Sequence, residues 1–203
     1  MTHTKKALTT AILLTVLAVT ACTQPAPKPG PVSSSQTGSG TASPSATPTP
    51  GAEVSKPATP EEAKAAAWDV VQAYWALDDQ IMKEKGANPD RIKALAVNAA
   101  YADTKVHAEA VAKAQFTATG NRKVTMISAY TSDLKGQIEV LNGNVGMKVC
   151  NDVNDIHWYK PDGTPDRRPD ILRTTLDVSV IYDVNQGAWR VDSVTDPKEV
   201  KPC

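Results

Sequence analysis

The sequence predicts an α+β domain in which helices come first and an antiparallel meander follows. Three observations carry that prediction. Apolar residues recur at helical spacing between Val70 and Val111, and after Gly120 the period drops to two. Asn142-Gly143, Asp162-Gly163 and Gln186-Gly187 then punctuate the second half as turn signals.

The first helix starts at Thr59-Pro60-Glu61-Glu62. Thr59 serves as cap, Pro60 suits the first helical position, and Glu62 stands where a capping box needs its carboxylate. The helix is expected to reach about Lys85 and stop at Gly86. Val70, Tyr74, Leu77 and Ile81 form its apolar stripe, widened by Trp68, Val71, Trp75 and Met82. Such an aromatic stripe reads as core rather than as a ligand box. Asn88-Pro89-Asp90 repeats the cap-then-proline pattern and opens a short helix that packs through Ile92, Leu95 and Ala96. An alanine-rich helix over about Ala99–Thr117 should bury Val106, Ala110, Val111 and Ala114, and with no proline between them it is open to run on continuously from the short one.

Strands are expected near 122–130, 135–141, 144–149, 156–159, 172–183 and 188–195. Leu176, Val178, Val180 and Tyr182 alternate with Asp177, Ser179 and Asp183, the pattern of a sheet with one wet face.

What precedes the domain has a different character. The chain has 203 residues, with 22 basic and 22 acidic side chains. Residues 1–6, MTHTKK, are a short positive region, and 7–21 are an apolar run of 15 residues. About 20 apolar residues are needed to cross a bilayer core, so the order reads as an export signal. Val19-Thr20-Ala21-Cys22 resembles the bacterial lipobox. That resemblance implies cleavage after residue 21 and a diacylglycerol-modified Cys22 at the mature N-terminus. Loss of Lys5 and Lys6 leaves 20 basic against 22 acidic residues, a balance with no basic footprint for nucleic acid. The only cysteines are Cys22, Cys150 and Cys203. Lipidation of Cys22 leaves Cys150 and Cys203 as an even pair, and export makes a disulfide between them chemically reasonable.

Residues 22–58 are expected to be the lipidated cysteine and a disordered tether. The tract from 23 to 59 holds no aromatic residue, only Val32 and Val54 as larger aliphatics, and charges only at Lys28, Glu53 and Lys56. It cannot bury enough apolar surface to offset chain entropy. As a coil it would span on the order of 35 Å. Its Ser/Thr/Pro content also suits a stalk carrying O-linked sugar. Residues 59–203 remain for the folded domain.

The helix with Tyr74-Trp75, the strand VGMKVC at 145–150 and the hairpin IYDVNQGAWRVDSV at 181–194 follow an order that resembles the nuclear-transport-factor-two-like family, with its cystatin-like cone. The last hairpin looks like the one ending many small exported actinobacterial lipoproteins. The resemblance implies a long helix and two shorter ones against a strongly bent sheet. Some members are isomerases, cyclases or dehydratases, but no motif here places their catalytic residue. Members often dimerise through the sheet, which leaves a homodimer open.

Residue by residue, little chemistry is signalled. The mature chain keeps two histidines, and His107 reads as a solvated face residue beside Glu109. His157 lies in NDVNDIHWYKPDG, 151–163, with Asp152, Asn154, Asp155 and Asp162. An EF-hand loop begun at Asp152 meets Ile156 at position five and His157 at six, so the calcium pattern fails. Zinc would want several His or Cys ligands. No Gly-x-Ser-x-Gly, Walker loop or His-Glu-x-x-His occurs. The segment therefore reads as strand–turn–strand, with Asp and Asn supplying the turns. Arg167, Arg168 and Lys160 are offset by Asp162, Asp166 and Asp170 in what reads as a neutral solvated loop.

Together these readings lead to a membrane-anchored exported lipoprotein with no catalytic, cofactor or metal site. Its domain would bind another protein, the cell wall or a small apolar ligand. Two alternatives stand beside it: an isomerase- or dehydratase-type enzyme working in the cone, and a phage-encoded surface lipoprotein for superinfection exclusion. A cavity of several hundred cubic ångströms with convergent polar groups favours ligand or enzyme. A cone filled by Trp68, Tyr74 or Trp75 leaves interaction as the function.

Overall fold

A computed structural model describes residues 56–196 and 201–203. The signal segment, Cys22 and the tether up to residue 55 lie outside the described residues. The fold is α+β. Helix α1 (Pro60–Lys83) is followed by a 3-10 helix (Pro89–Ala94) and α2 (Asn98–Ala114). Strands β1 (Thr117–Thr119), β2 (Lys123–Leu134), β3 (Val140–Asp152), β4 (His157–Tyr159), β5 (Arg173–Asp183) and β6 (Ala188–Thr195) come after. The main sheet is antiparallel in the order β2-β3-β5-β6, while β1 and β4 pair separately.

The start of α1 follows from its sequence. Thr59 Oγ1 accepts the Glu62 N–H, and the Glu62 carboxylate accepts the N–H of Thr59, the reciprocal capping box. Its end has a different cause from the expected glycine stop. Lys85 takes the left-handed backbone at φ 58°. The Lys85 N–H bonds Met82 O and the Gly86 N–H bonds Ile81 O, which together form a Schellman motif. Gly86 is required for another reason. At φ +74° a Cβ there would lie 2.0 Å from the carbonyl oxygen of Ala108, so its bare backbone lets α2 approach.

Three other expectations are corrected. Asn88 does not cap with its side chain. It sits in the left-handed region at φ 49°, and its carbonyl accepts the Arg91 N–H. The short helix and α2 are not continuous, because residues 95–97 leave helical geometry to bond β6. Leu95 O accepts the Val191 N–H at 2.8 Å, and Val191 O accepts the Val97 N–H at 2.9 Å. On α2 the buried face is Ala100, Thr104, Ala108 and Val111, whereas Val106 is 67% exposed. The small residues on that face permit the close approach at Gly86, and Thr104 is drawn inward by polar partners on α1.

The core fills the space between α1, α2 and one sheet face. Val71, Tyr74, Trp75, Ile81 and Met82 of α1 are buried with Val145, Met147 and Val149 of β3, Val178 and Val180 of β5, and Trp189 and Val191 of β6. Trp68 is partly buried against this cluster. Tyr182 and Trp189 meet edge to face with centroids 5.7 Å apart.

The strand boundaries shift where local signals mislead. Asn142-Gly143 is not a turn. Both residues lie inside β3, Asn142 at φ 55°, with its N–H donated to Asp133 Oδ1. The β2–β3 connection is residues 135–139 instead, which were expected to open a strand. Strand β1 was not foreseen, since its three residues gain their partner only from β4. Gln186-Gly187 does sit in the β5–β6 turn, with Gly187 at φ 60°. Cys150 and Cys203 form a disulfide with Cα atoms 5.7 Å apart. The C-terminal residues run beside β5, where Lys201 O accepts the Thr175 N–H.

Candidate functional site

Two adjacent carboxylates, Asp78 and Asp79, are buried on α1 at 4% and 7% exposure. Burial of charge requires a partner, and Arg122, the residue just before β2, supplies it. Its guanidinium reaches Asp78 Oδ2 at 3.5 Å and Asp79 Oδ1 at 3.6 Å. Its backbone N–H donates to Asp79 Oδ2 at 2.7 Å. The same guanidinium lies 4.0 Å from the centroid of the Trp75 ring. On the other side, Thr104 Oγ1 donates to Asp78 Oδ1 at 3.3 Å and lies 3.1 Å from the hydroxyl of Tyr74. Burial pushes the Asp78 carboxyl up from the ordinary aspartate value, against the pull of Arg122. It also raises the Tyr74 phenol to about 12. The network thus ties α1, α2 and β2 together at one end of the domain.

A pocket of about 180 Å³ opens beside it. Its apolar wall is Met82 of α1, Ala118 of β1, and Val153, Ile156, Trp158 and Leu172 of the 153–172 segment. Its polar groups are Asp79, Lys83, His107, Thr119, Arg122, Asp166, Arg167 and Arg168. Backbone bonds fix the 153–172 segment: Val153 N–H to Leu172 O at 2.9 Å, Ile156 N–H to Val153 O at 3.1 Å, and Asp166 N–H to Trp158 O at 2.8 Å. Arg168 adds a side-chain bond to Asn154 O at 2.6 Å. Gly120, at φ +79°, lets β1 lie against this segment, because a Cβ there would fall 1.7 Å from Asp155 O.

The residues singled out from sequence divide in two. Asp152 accepts the Asn154 N–H at 2.9 Å and Asp162 accepts the Thr164 N–H at 2.9 Å, so both are spent in turns. Asp155 pairs with Lys123 at 2.7 Å. His157 is exposed on β4, opposite Thr119. Lys160 faces Asp166 at 4.0 Å, and Arg167 faces Asp170 at 3.7 Å, the offsetting pairs expected of that loop. His107 is exposed on α2, yet its place is at the pocket. Nothing in the local sequence singles out Asp78, Asp79 and Arg122 as a unit, and Trp158 lies within a segment whose pattern is that of a surface strand. The one available signal was a pair of acids inside the apolar stripe of α1, at the position of its inward face. Among the described residues, no group of three or more His, Cys, Asp or Glu is placed to hold a metal ion.

Tyr74 and Trp75 fill the space between α1 and the sheet, at 3% and 7% exposure, so the pocket lies at the edge of the core rather than within it. Neither a family model nor a curated protein matches the sequence. Among solved structures, the intermembrane space region of the chloroplast protein ARC6 is similar at 8% identity and a TM-score of 0.44. The match covers 68% of this chain and 96% of that one, too remote a likeness to bear on function.

Proposed function

We propose that the chain is an exported lipoprotein, held to the membrane through Cys22, whose α+β domain binds a small ligand with an apolar body in the pocket beside Arg122. The observation that carries the binding half is the pocket itself: an apolar wall of Met82, Ile156, Trp158 and Leu172 beside a fixed polar network. An apolar cavity of about 150 Å³ is enough to hold benzene, so about 180 Å³ suits one ring or a chain of six to eight carbons. Binding is favoured over turnover because Asp79, a carboxylate of the pocket wall, is already engaged twice by Arg122. Asp166 is offset by Lys160. General acid–base work needs a group free to exchange a proton with the substrate. The anchoring half rests on the lipobox-like Val19-Thr20-Ala21-Cys22 and the Pro/Ser/Thr-rich tract after it.

Each half has its own test. In envelope fractionation the wild-type chain is expected with the membrane, and Cys22→Ala in the soluble exported fraction. A Cys22→Ala protein that stays with the membrane refutes the anchor. For binding, ligand-detected saturation-transfer NMR with one-ring and short-chain compounds is expected to give signals that Ala118→Trp, which fills the pocket, removes. Equal signals from Ala118→Trp protein with an unchanged circular dichroism spectrum refute the pocket.

A further inference from the structure

The cations around the pocket are not equally neutralised, and this asymmetry speaks to the ligand. Arg122 is held by Asp78 and Asp79, and Arg167 by Asp170. Lys83, in the last turn of α1, donates to the neutral Asn121 Oδ1 and has no carboxylate within 4 Å among the described residues. Arg168 spends its guanidinium on the carbonyls of Val153 and Asn154, again without an acidic partner. Lys83 comes from α1, Arg168 from the segment over the pocket, and the His107 ring from α2 lines the same space. The pocket's own acids are both occupied, Asp79 by Arg122 and Asp166 by Lys160. An apolar wall therefore faces two fixed positive charges that the protein leaves uncompensated, with an imidazole beside them.

We infer that the ligand is a small amphipathic anion, a carboxylate on a body of one ring or six to eight carbons. This rests on the reading of the pocket as a binding site. The body lies against Met82, Ile156, Trp158 and Leu172, and the carboxylate meets Lys83 and Arg168. A neutral ligand of the same shape would leave both cations facing apolar surface. A cationic ligand would add like charge at the same place. A carboxylate turns both contacts into charge-assisted hydrogen bonds, which are about twice as strong as neutral ones.

The test is calorimetric titration of the full chain with benzoate and octanoate against benzamide and octanamide, at low ionic strength. The expected result is that each carboxylate binds at least tenfold more tightly than its amide, the difference one charge-assisted contact provides. Lys83→Gln and Arg168→Gln should each remove most of that preference, read as the ratio of acid to amide affinity within the same variant. Arg173→Gln, on β5 and outside the pocket, should alter neither. Amides that bind as well as the acids overturn the anion and leave the pocket standing. A preference that survives both substitutions also overturns it. If none of the four compounds binds at millimolar concentration, the pocket reading falls with it.

Discussion

Arg122→Met is expected to cost the domain about 3–5 kcal/mol in urea denaturation at pH 7, the range for removing one partner of a buried ion pair. The reason is local. Asp78 and Asp79 have side chains only 6% and 8% exposed, and Arg122 pairs with both while its own side chain is 15% exposed. Methionine keeps much of the volume against Trp75 but leaves two carboxylates buried without a cation. The loss should shrink as pH falls, because Asp78, whose carboxyl burial already raises, takes up a proton and no longer needs the cation. Asp78 gives the sign independently. Its folded-state pKa is raised by burial, so it favours folding when protonated, and that contribution is lost as pH rises through the folded value. Asp78→Asn should therefore match wild type at low pH, gain on it as pH rises from the ordinary aspartate pKa through the raised folded value, and then hold a constant advantage. It should also recover part of the Arg122→Met loss when the two are combined. A loss below about 1 kcal/mol for Arg122→Met, or one that does not vary with pH, contradicts the network as the element holding this end together.

Replacing Cys150 and Cys203 together by serine should be the other large effect. The bridge joins residues 53 apart in sequence. The loop-entropy relation gives it a worth of about 4 kcal/mol. It also holds the C-terminal residues beside β5, where Lys201 O accepts the Thr175 N–H at 2.9 Å and Pro202 bridges Thr174. The double variant should lose stability by about that amount, and wild type in reductant should move to the same midpoint. Hydrogen exchange at the Thr175 amide should accelerate before that of Val178 or Val180, deeper in β5. A double variant within about 1 kcal/mol of wild type, with Thr175 still protected, would show that the tail is held without the bridge.

The fold was legible where structure follows from neighbours in sequence. The capping box at Thr59 and Glu62 is a contact over three residues, and the alternation in β5 is a property of one strand. Both are written where they act. Asn142-Gly143 shows how a sound local signal fails. The pair reads as a hairpin turn, but Asp133 captures the Asn142 N–H and the strand runs on through it. Val106 fails likewise: an apolar residue at a plausible helical position lost its place to Thr104, which has Asp78 and Tyr74 to bond.

The candidate site was hardly legible for a related reason. An acid pair on α1 makes sense inside a core only with Arg122, and the bond joining Asp79 to it spans 43 residues. The pocket draws on α1, α2, β1, β4 and the 153–172 segment, so no stretch of sequence contains it. Trp158, beside the exposed His157, looked like part of a wet strand until β1 was there to pair with it.

Backbone amide chemical-shift mapping of the full chain during titration with octanoate tests the central claim most directly. The account predicts shifts confined to Asp79, Met82 and Lys83, His107, residues 118–122, and residues 153–172, with the outer face of the sheet at Gly146, Lys148 and Ser179 unmoved. Shifts centred on that outer face, or none at saturating ligand, would contradict it.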